Sequence, residues 1–217
     1  CNYSTFIVAD QCDSVQVDEC NNCTFFFGPT TGSVFLRTCK NCTFVLVCGQ
    51  LRTRDLHDCK FSMFCNSRPV IESSTRIGVG CFMSPSGAYF ELREQLAHSR
   101  LSAFNNKFRL VHDFTPSKTD VPNFYFMTHE QTAQLLPSLR DASKGELTTE
   151  TAGDVVIPWI RGKLPTATAS DAAVLHVIMF RPEAYDDAER FITSTAWLPE
   201  SNHSVAVAAP AVTATDA

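Results

Sequence analysis

Four short stretches of this chain are variants of one another. Cys1-Asn2-Tyr3-Ser4-Thr5-Phe6, Cys20-Asn21-Asn22-Cys23-Thr24-Phe25, Cys39-Lys40-Asn41-Cys42-Thr43-Phe44 and Asp58-Cys59-Lys60-Phe61 return every 19 to 20 residues. A fixed period of that length marks a stacked-repeat architecture. Each repeat carries a short apolar run, such as Thr24-Phe25-Phe26-Phe27 or Thr43-Phe44-Val45-Leu46-Val47. A second run follows before the next Cys, such as Val15-Gln16-Val17 or Ser33-Val34-Phe35-Leu36. Gly28-Pro29, Gly32, Gly49 and the Asn pairs separate the runs as turn residues. About 20 residues leave room for two or three short strands and no helix. The period therefore predicts a mainly β chain folded as a parallel β-solenoid, one rung per repeat, with alternate side chains stacked inside.

The same period bears on the cysteines. Cys20-x2-Cys23-x15-Cys39-x2-Cys42 has the spacing of a zinc ribbon. A zinc site needs four ligands around one point, whereas residues that recur with the rung period stack as ladders. Ser4 stands where the first repeat would carry its second Cys, and Ser62 does so after Cys59. Serine matches cysteine in size but not as a metal ligand, so volume is the shared property. The thiols are read as buried structural groups, with zinc as the alternative and no metal or other cofactor expected.

All ten Cys lie within the first 81 residues. A secreted, disulfide-bonded protein is the competing reading, supported by sequons at Asn2, Asn22, Asn41 and Asn202. Three of these fall at one place in the repeat and count as one feature, an Asn suited to a left-handed corner. A reduced, cytoplasmic protein is expected. The net charge of −5 argues against nucleic acid as the main partner. No apolar run approaches the roughly 18 residues of a membrane span. The chain begins inside a repeat at Cys1, so membrane association is expected only through a segment upstream of it.

Residues 1–117 read as the solenoid domain, 118–170 as a linker with a short helix, and 171–217 as a small αβ unit with a frayed tail. Pro69–Ser74 and Arg76–Val79 close the repeats. The period then changes: Tyr89, Leu92, Leu96 and Leu101 predict a helix over 88–101 that caps the open solenoid end. Thr128-His129-Glu130-Gln131 is a capping-box pattern for a helix that Pro137 stops. A strand over 173–180 and a helix over 182–192 follow.

The G-x-x-x-x-G-K-[ST], G-x-S-x-G and H-E-x-x-H motifs are absent. Gly28-Pro29-Thr30-Thr31-Gly32-Ser33 lacks the lysine of a phosphate loop, and the six His show no ligand spacing. One stretch breaks the repeat's own pattern. Gln50-Leu51-Arg52-Thr53-Arg54-Asp55 occupies the strand that earlier rungs fill with Val15-Gln16-Val17 and Val34-Phe35-Leu36. Two Arg two residues apart point to one strand face, which must face outward unless both are paired. Glu72, in the next rung, is expected near Arg52. A surface ion pair and a functional site are both consistent with this pattern.

Cys48–Asp55, Pro69–Ser74, Gly80-Cys81-Phe82, Leu101–Asn106 and His112–Pro116 fall in the order found in the tubulin-folding cofactor C domain family, which residues 1–117 resemble. Residues 151–192 are similar to the start of a nucleoside-diphosphate-kinase-like domain found in one branch of it, truncated here after about one βα unit. The resemblance implies a right-handed parallel β-helix. It implies a GTPase activator rather than an enzyme with its own substrate, acting on a GTP-bound Arf-like small GTPase. Arg52 would be an arginine finger. Gln50, Glu72, Phe104, Asn105 and Asn106 would contact the partner. The resemblance departs at Gly49, where that branch of the family has Gln. A tubulin-folding cofactor acting on tubulin GTP hydrolysis and a non-catalytic scaffold are the alternatives. The family also implies a place in ciliary protein trafficking, at the ciliary base or the cytoplasmic face of the plasma membrane.

Overall fold

The computed structural model of the chain describes residues 1–83, 91–143 and 157. Its strands are β1 (Thr5–Val8), β2 (Val15–Asp18), β3 (Thr24–Arg37), β4 (Thr43–Arg54), β5 (Lys60–Cys65), β6 (Val70–Glu72), β7 (Ile77–Cys81), β8 (His112–Asp113) and β9 (Phe124–Phe126). Its helices are α1 (Leu92–Ser99), α2 (His129–Ala133) and α3 (Pro137–Ala142). Every strand pair is parallel. One wall runs β1-β3-β4-β5-β7-β9, and a second runs β2-β3-β4-β6-β8. Strands β3 and β4 are long enough to turn the corner and serve both walls. This is the expected β-solenoid.

In-register stacking puts like residues on like. Phe6, Phe25, Phe44 and Phe61 form one column inside the solenoid, with successive ring centroids 5.0, 5.0 and 5.2 Å apart. Val34, Leu36, Leu46 and Leu51 pack in the same core. The alternate residues Phe26, Val45 and Val47 point out of the first wall, yet they too are buried. They form a second core with Phe64, Leu92 and Leu96 of α1, Leu139 of α3, and Ile157. Helix α1 therefore lies along the flank of the solenoid instead of capping its end. The reason is the outward Phe26 and Phe64, which no lone sheet face would leave in water.

The corners explain the cysteines. Tyr3, Asn22, Asn41, Asp58 and Arg76 occupy one left-handed column, with φ between 50° and 56°. The residue after each of Asn22, Asn41 and Asp58 is a Cys whose thiol turns inward and donates to the carbonyl two residues back. Cys23 bonds Asn21 at 3.3 Å, Cys42 bonds Lys40 at 3.3 Å and Cys59 bonds His57 at 3.4 Å. Ser4 makes the same bond to Asn2 at 3.0 Å. Cysteine and serine thus share a hydrogen-bonding task at the corner as well as a volume. The hydrogen bond to Cys42, and then burial, push the thiols of Cys39 and Cys59 up, which keeps them protonated at ordinary pH. All ten cysteines are free, and no three potential metal ligands converge among the described residues.

Register corrects three sequence expectations. The period is not constant: Thr5 pairs Thr24, Thr24 pairs Thr43, but Thr43 pairs Lys60 and Lys60 pairs Gly78. Cys59 consequently stacks on Cys42 rather than on Cys39, and Ser62 pairs Val45, outside the cysteine ladders. Asn2 bridges Asn21 rather than Asn22, so its sequon is one residue out of step with those at Asn22 and Asn41. The capping box of α2 forms as expected, with Gln131 N donating to Thr128 Oγ1 at 3.2 Å. Pro137 does more than end a helix: it opens α3 at its first turn, where a missing N–H is harmless. The strand expected over 173–180 and the helix over 182–192 lie outside the described residues.

Phe44 sits at the centre of the aromatic column and is fully buried. Phe44→Ala is expected to lower the unfolding free energy by about 3–5 kcal/mol. Phe44→Leu should lose clearly less. Urea titrations of the three proteins check both.

Candidate functional site

The second wall presents two outward columns. Gln16, Phe35, Arg52, Val70 and His112 stack in register in one of them. Asp18, Arg37, Arg54 and Glu72 stack in the other. Between them Val17, Leu36, Thr53 and Ile71 face inward and are buried. Strand alternation thus sends both Arg52 and Arg54 outward, as their spacing predicts. The columns border a shallow groove of about 400 Å³, which Phe114 and His112 close at one side.

Electrostatics distinguish the three arginines. Asp18 clamps Arg37 through two bonds, to Nε at 2.7 Å and Nη2 at 2.9 Å. The hydrogen bond from Arg37, with another from Gln16, holds the Asp18 carboxyl at about 2. Arg54 pairs with Asp55 at 3.5 Å and lies opposite Glu72. Arg52 differs: its register neighbours are Phe35 and Val70. No ion pair or hydrogen bond engages its guanidinium among the described residues. Glu72, expected beside Arg52, stacks instead on Arg54, because Arg52 pairs Val70 two residues earlier. It still lines the same groove.

Gln50 points to the same side as Arg52, two residues before it. Its Oε1 accepts from Ser33 Oγ at 3.0 Å, which fixes the side chain. Gly49 stands at the corner where β4 stacks on β3. The β3 corner holds two more residues than the β4 corner: Phe27 pairs Leu46, whereas Ser33 pairs Gln50. The tighter corner therefore nests under the wider one. A Cβ at Gly49 would run into the Thr31 carbonyl oxygen and come within 2.8 Å of that of Gly32.

Phe104, Asn105 and Asn106 lie in a loop outside the groove. Asn106 Oδ1 accepts from Cys65 N at 3.0 Å and Phe108 N at 3.1 Å, and its Nδ2 donates to Met63 O at 3.2 Å. Those bonds hold the loop against β5. Asn105 Nδ2 donates to Asn66 Oδ1 at 2.7 Å. Ser67 N in turn donates to Gly49 O at 3.0 Å. The loop with the half-buried Phe104 is thereby tied to the corner that precedes Gln50. Sequence reasoning passed over Phe35, His112 and Phe114. The signal for Phe35 was present: in Ser33-Val34-Phe35-Leu36-Arg37 it takes an outward position between two polar ones.

A parallel β-solenoid that presents an uncompensated arginine from a strand is the class that fold and site define. The family description for tubulin binding cofactor C matches residues 1–114, and the chain belongs to that family. Among curated relatives it is similar to human protein XRP2, with 32% identity over 150 residues, 68% of this chain and 41% of the relative. Chicken protein XRP2 is 42% identical over 72 residues, 33% of this chain and 19% of the relative. The chain thus spans less than half the length of these relatives. Among solved structures, tubulin binding cofactor C from Leishmania major aligns with a TM-score of 0.52 at 21% identity. That alignment covers 60% of this chain and 90% of the other, and shows the shared fold.

Gly49→Gln is expected to destabilise the protein by roughly 1–3 kcal/mol, as overpacking does. Chemical denaturation measures it. An unchanged midpoint would mean that the β4 corner relaxes without strain.

Proposed function

We propose that this protein stimulates GTP hydrolysis by an Arf-like small GTPase, with Arg52 as an arginine finger supplied in trans. The observation that carries this reading is the state of Arg52: exposed, on a strand paired on both sides, and without a carboxylate among the described residues. As the γ-phosphoryl group transfers, charge spreads over its oxygens, and a planar guanidinium meets that charge through two parallel N–H donors. A counter-ion on Arg52 would have to be displaced first. Its apolar column neighbours impose no such step. The stacked rungs hold the Cα in place, so only the side chain needs ordering when the partner arrives. Gln50 and Glu72 flank the finger on the same face, and Phe104 with Asn105 and Asn106 extends the contact. Such an activity belongs in the cytoplasm, where free thiols persist.

Single-turnover GTP hydrolysis by a panel of purified Arf-like GTPases, with αβ-tubulin as a further substrate, tests the proposal. The wild type should accelerate at least one GTPase, and Arg52→Ala should remove most of the roughly 10³–10⁵-fold effect typical of such fingers. Arg52→Lys should also fail substantially, because a point charge lacks the fork. Stimulation that survives Arg52→Ala removes the finger. Stimulation of tubulin alone selects the folding-cofactor reading.

Phe104→Ala should behave in the opposite way. Binding to the GTP-loaded partner is expected to weaken by roughly 2 kcal/mol, while the rate at saturation stays near normal. A titration beside a thermal melt checks this. A lowered melting temperature with normal binding by the folded fraction would make Phe104 a packing residue only.

A further inference from the structure

Phe35 has no structural task that accounts for it. It is 38% exposed, belongs to neither core cluster and shares its strand face with Ser33 and Arg37. Single exposed apolar residues are ordinary on protein surfaces. Here, however, several border one cation. Phe35 lies one rung from Arg52 on one side and Val70 one rung on the other, each about 4.8 Å away along the ladder. Phe114, 66% exposed, continues the same edge: its N–H donates to Ile71 O at 2.8 Å, and its ring meets His112 edge-on at 6.0 Å. From Phe35 to His112 the strip runs three rungs, about 14 Å.

Such a strip is wide, shallow and open. A free nucleotide needs a concave site with several phosphate donors, but Arg37 and Arg54 already face carboxylates. A protein face covers a strip like this, and aromatic residues are favoured at the centre of such contacts. Covering it also changes Arg52. With Phe35 and Val70 against a partner, water leaves the guanidinium, and its attraction for an anionic oxygen rises as the local dielectric falls. One uncompensated positive charge inside an apolar border complements one feature: a bound nucleoside triphosphate exposed at the surface of a protein, with apolar residues beside its phosphates.

We propose that Phe35, with Val70 and Phe114, docks the nucleotide-bearing face of a small GTPase, and that Phe35 positions that face against Arg52. This rests on the GTPase-activating reading above. Phe35 is a positioning residue; it stabilises the complex and leaves the phosphoryl-transfer step to Arg52.

The test separates docking from activation. Wild type, Phe35→Ala, Phe35→Leu and Arg52→Ala are titrated against the same GTPase panel loaded with a non-hydrolysable GTP analogue, with αβ-tubulin and free GTP as further arms. Hydrolysis at saturating activator and thermal melts are measured in parallel. Phe35→Ala should weaken binding at least about tenfold, raise the half-saturating concentration to match, lower the saturated rate far less than Arg52→Ala does, and keep the melting temperature near wild type. Phe35→Leu should recover most of the affinity. Arg52→Ala should lose the rate and keep most of the binding. If a GTPase binds without acceleration, the activation reading falls, and docking is still decided by Phe35→Ala. Equal binding by wild type and Phe35→Ala overturns the docking patch. So does a Phe35→Ala loss of binding that tracks a lowered melting temperature, or binding of tubulin or free GTP in place of every GTPase.

Discussion

Parallel, in-register pairing places each side chain directly above its counterpart in the next rung, about 4.8 Å away. Everything else in this molecule answers to that spacing. Inside, identical residues stack profitably, as the column Phe6, Phe25, Phe44, Phe61 shows. At the corners, Asn41 Nδ2 donates to Asn22 Oδ1 at 3.3 Å, and Asn21 Nδ2 to Asn2 Oδ1 at 3.2 Å. Cysteine recurs because a small donor that turns inward after a left-handed residue adds a hydrogen bond to the carbonyl two positions back.

Outside, the same spacing is unfavourable to repeated charge, since like charges opposite one another destabilise a sheet. The chain resolves this by setting Asp18 against Arg37 and Glu72 against Arg54. Arg37 and Arg54 do stack on each other, and each has a carboxylate elsewhere, Asp18 for one and Asp55 for the other. Arg52 is handled differently. It is insulated by apolar neighbours instead of neutralised, so its charge remains available to an incoming anion. A stability-driven surface would favour the neutralised arrangement at all three positions.

The corner before Arg52 links architecture to site. The two residues that β4 omits relative to β3 shorten the rung, nest Gly49 under the Thr31 and Gly32 carbonyls, and start the outward alternation at Gln50. Ser33, at the end of the wider corner, then holds Gln50. The loop of Phe104 to Asn106 reaches the same corner through Asn66 and Ser67. The elements around the finger are therefore tied to one bend of the solenoid.

The 19-residue spacing of Thr5, Thr24 and Thr43 determined the solenoid by itself, because only stacked rungs bury such a repeat. The alternation Gln50-Leu51-Arg52-Thr53-Arg54 determined that both arginines face outward, because strand side chains have a period of two. Sequence spacing did not reveal where the rungs shorten, so Cys59 and Glu72 were placed beside the wrong neighbours. Register depends on how many residues a corner holds, and that is set by contacts between corners. Nor did the pattern reveal that α1 covers the flank, since the outward Phe26 and Phe64 look like inward ones until both walls are in place. Above all, the residue pattern did not separate Arg52 from Arg54; the family resemblance singled out Arg52, and the tertiary structure supplied the physical difference. Their local sequence is nearly symmetric, and what differs is the residue stacked above and below each one: apolar for Arg52, charged for Arg54.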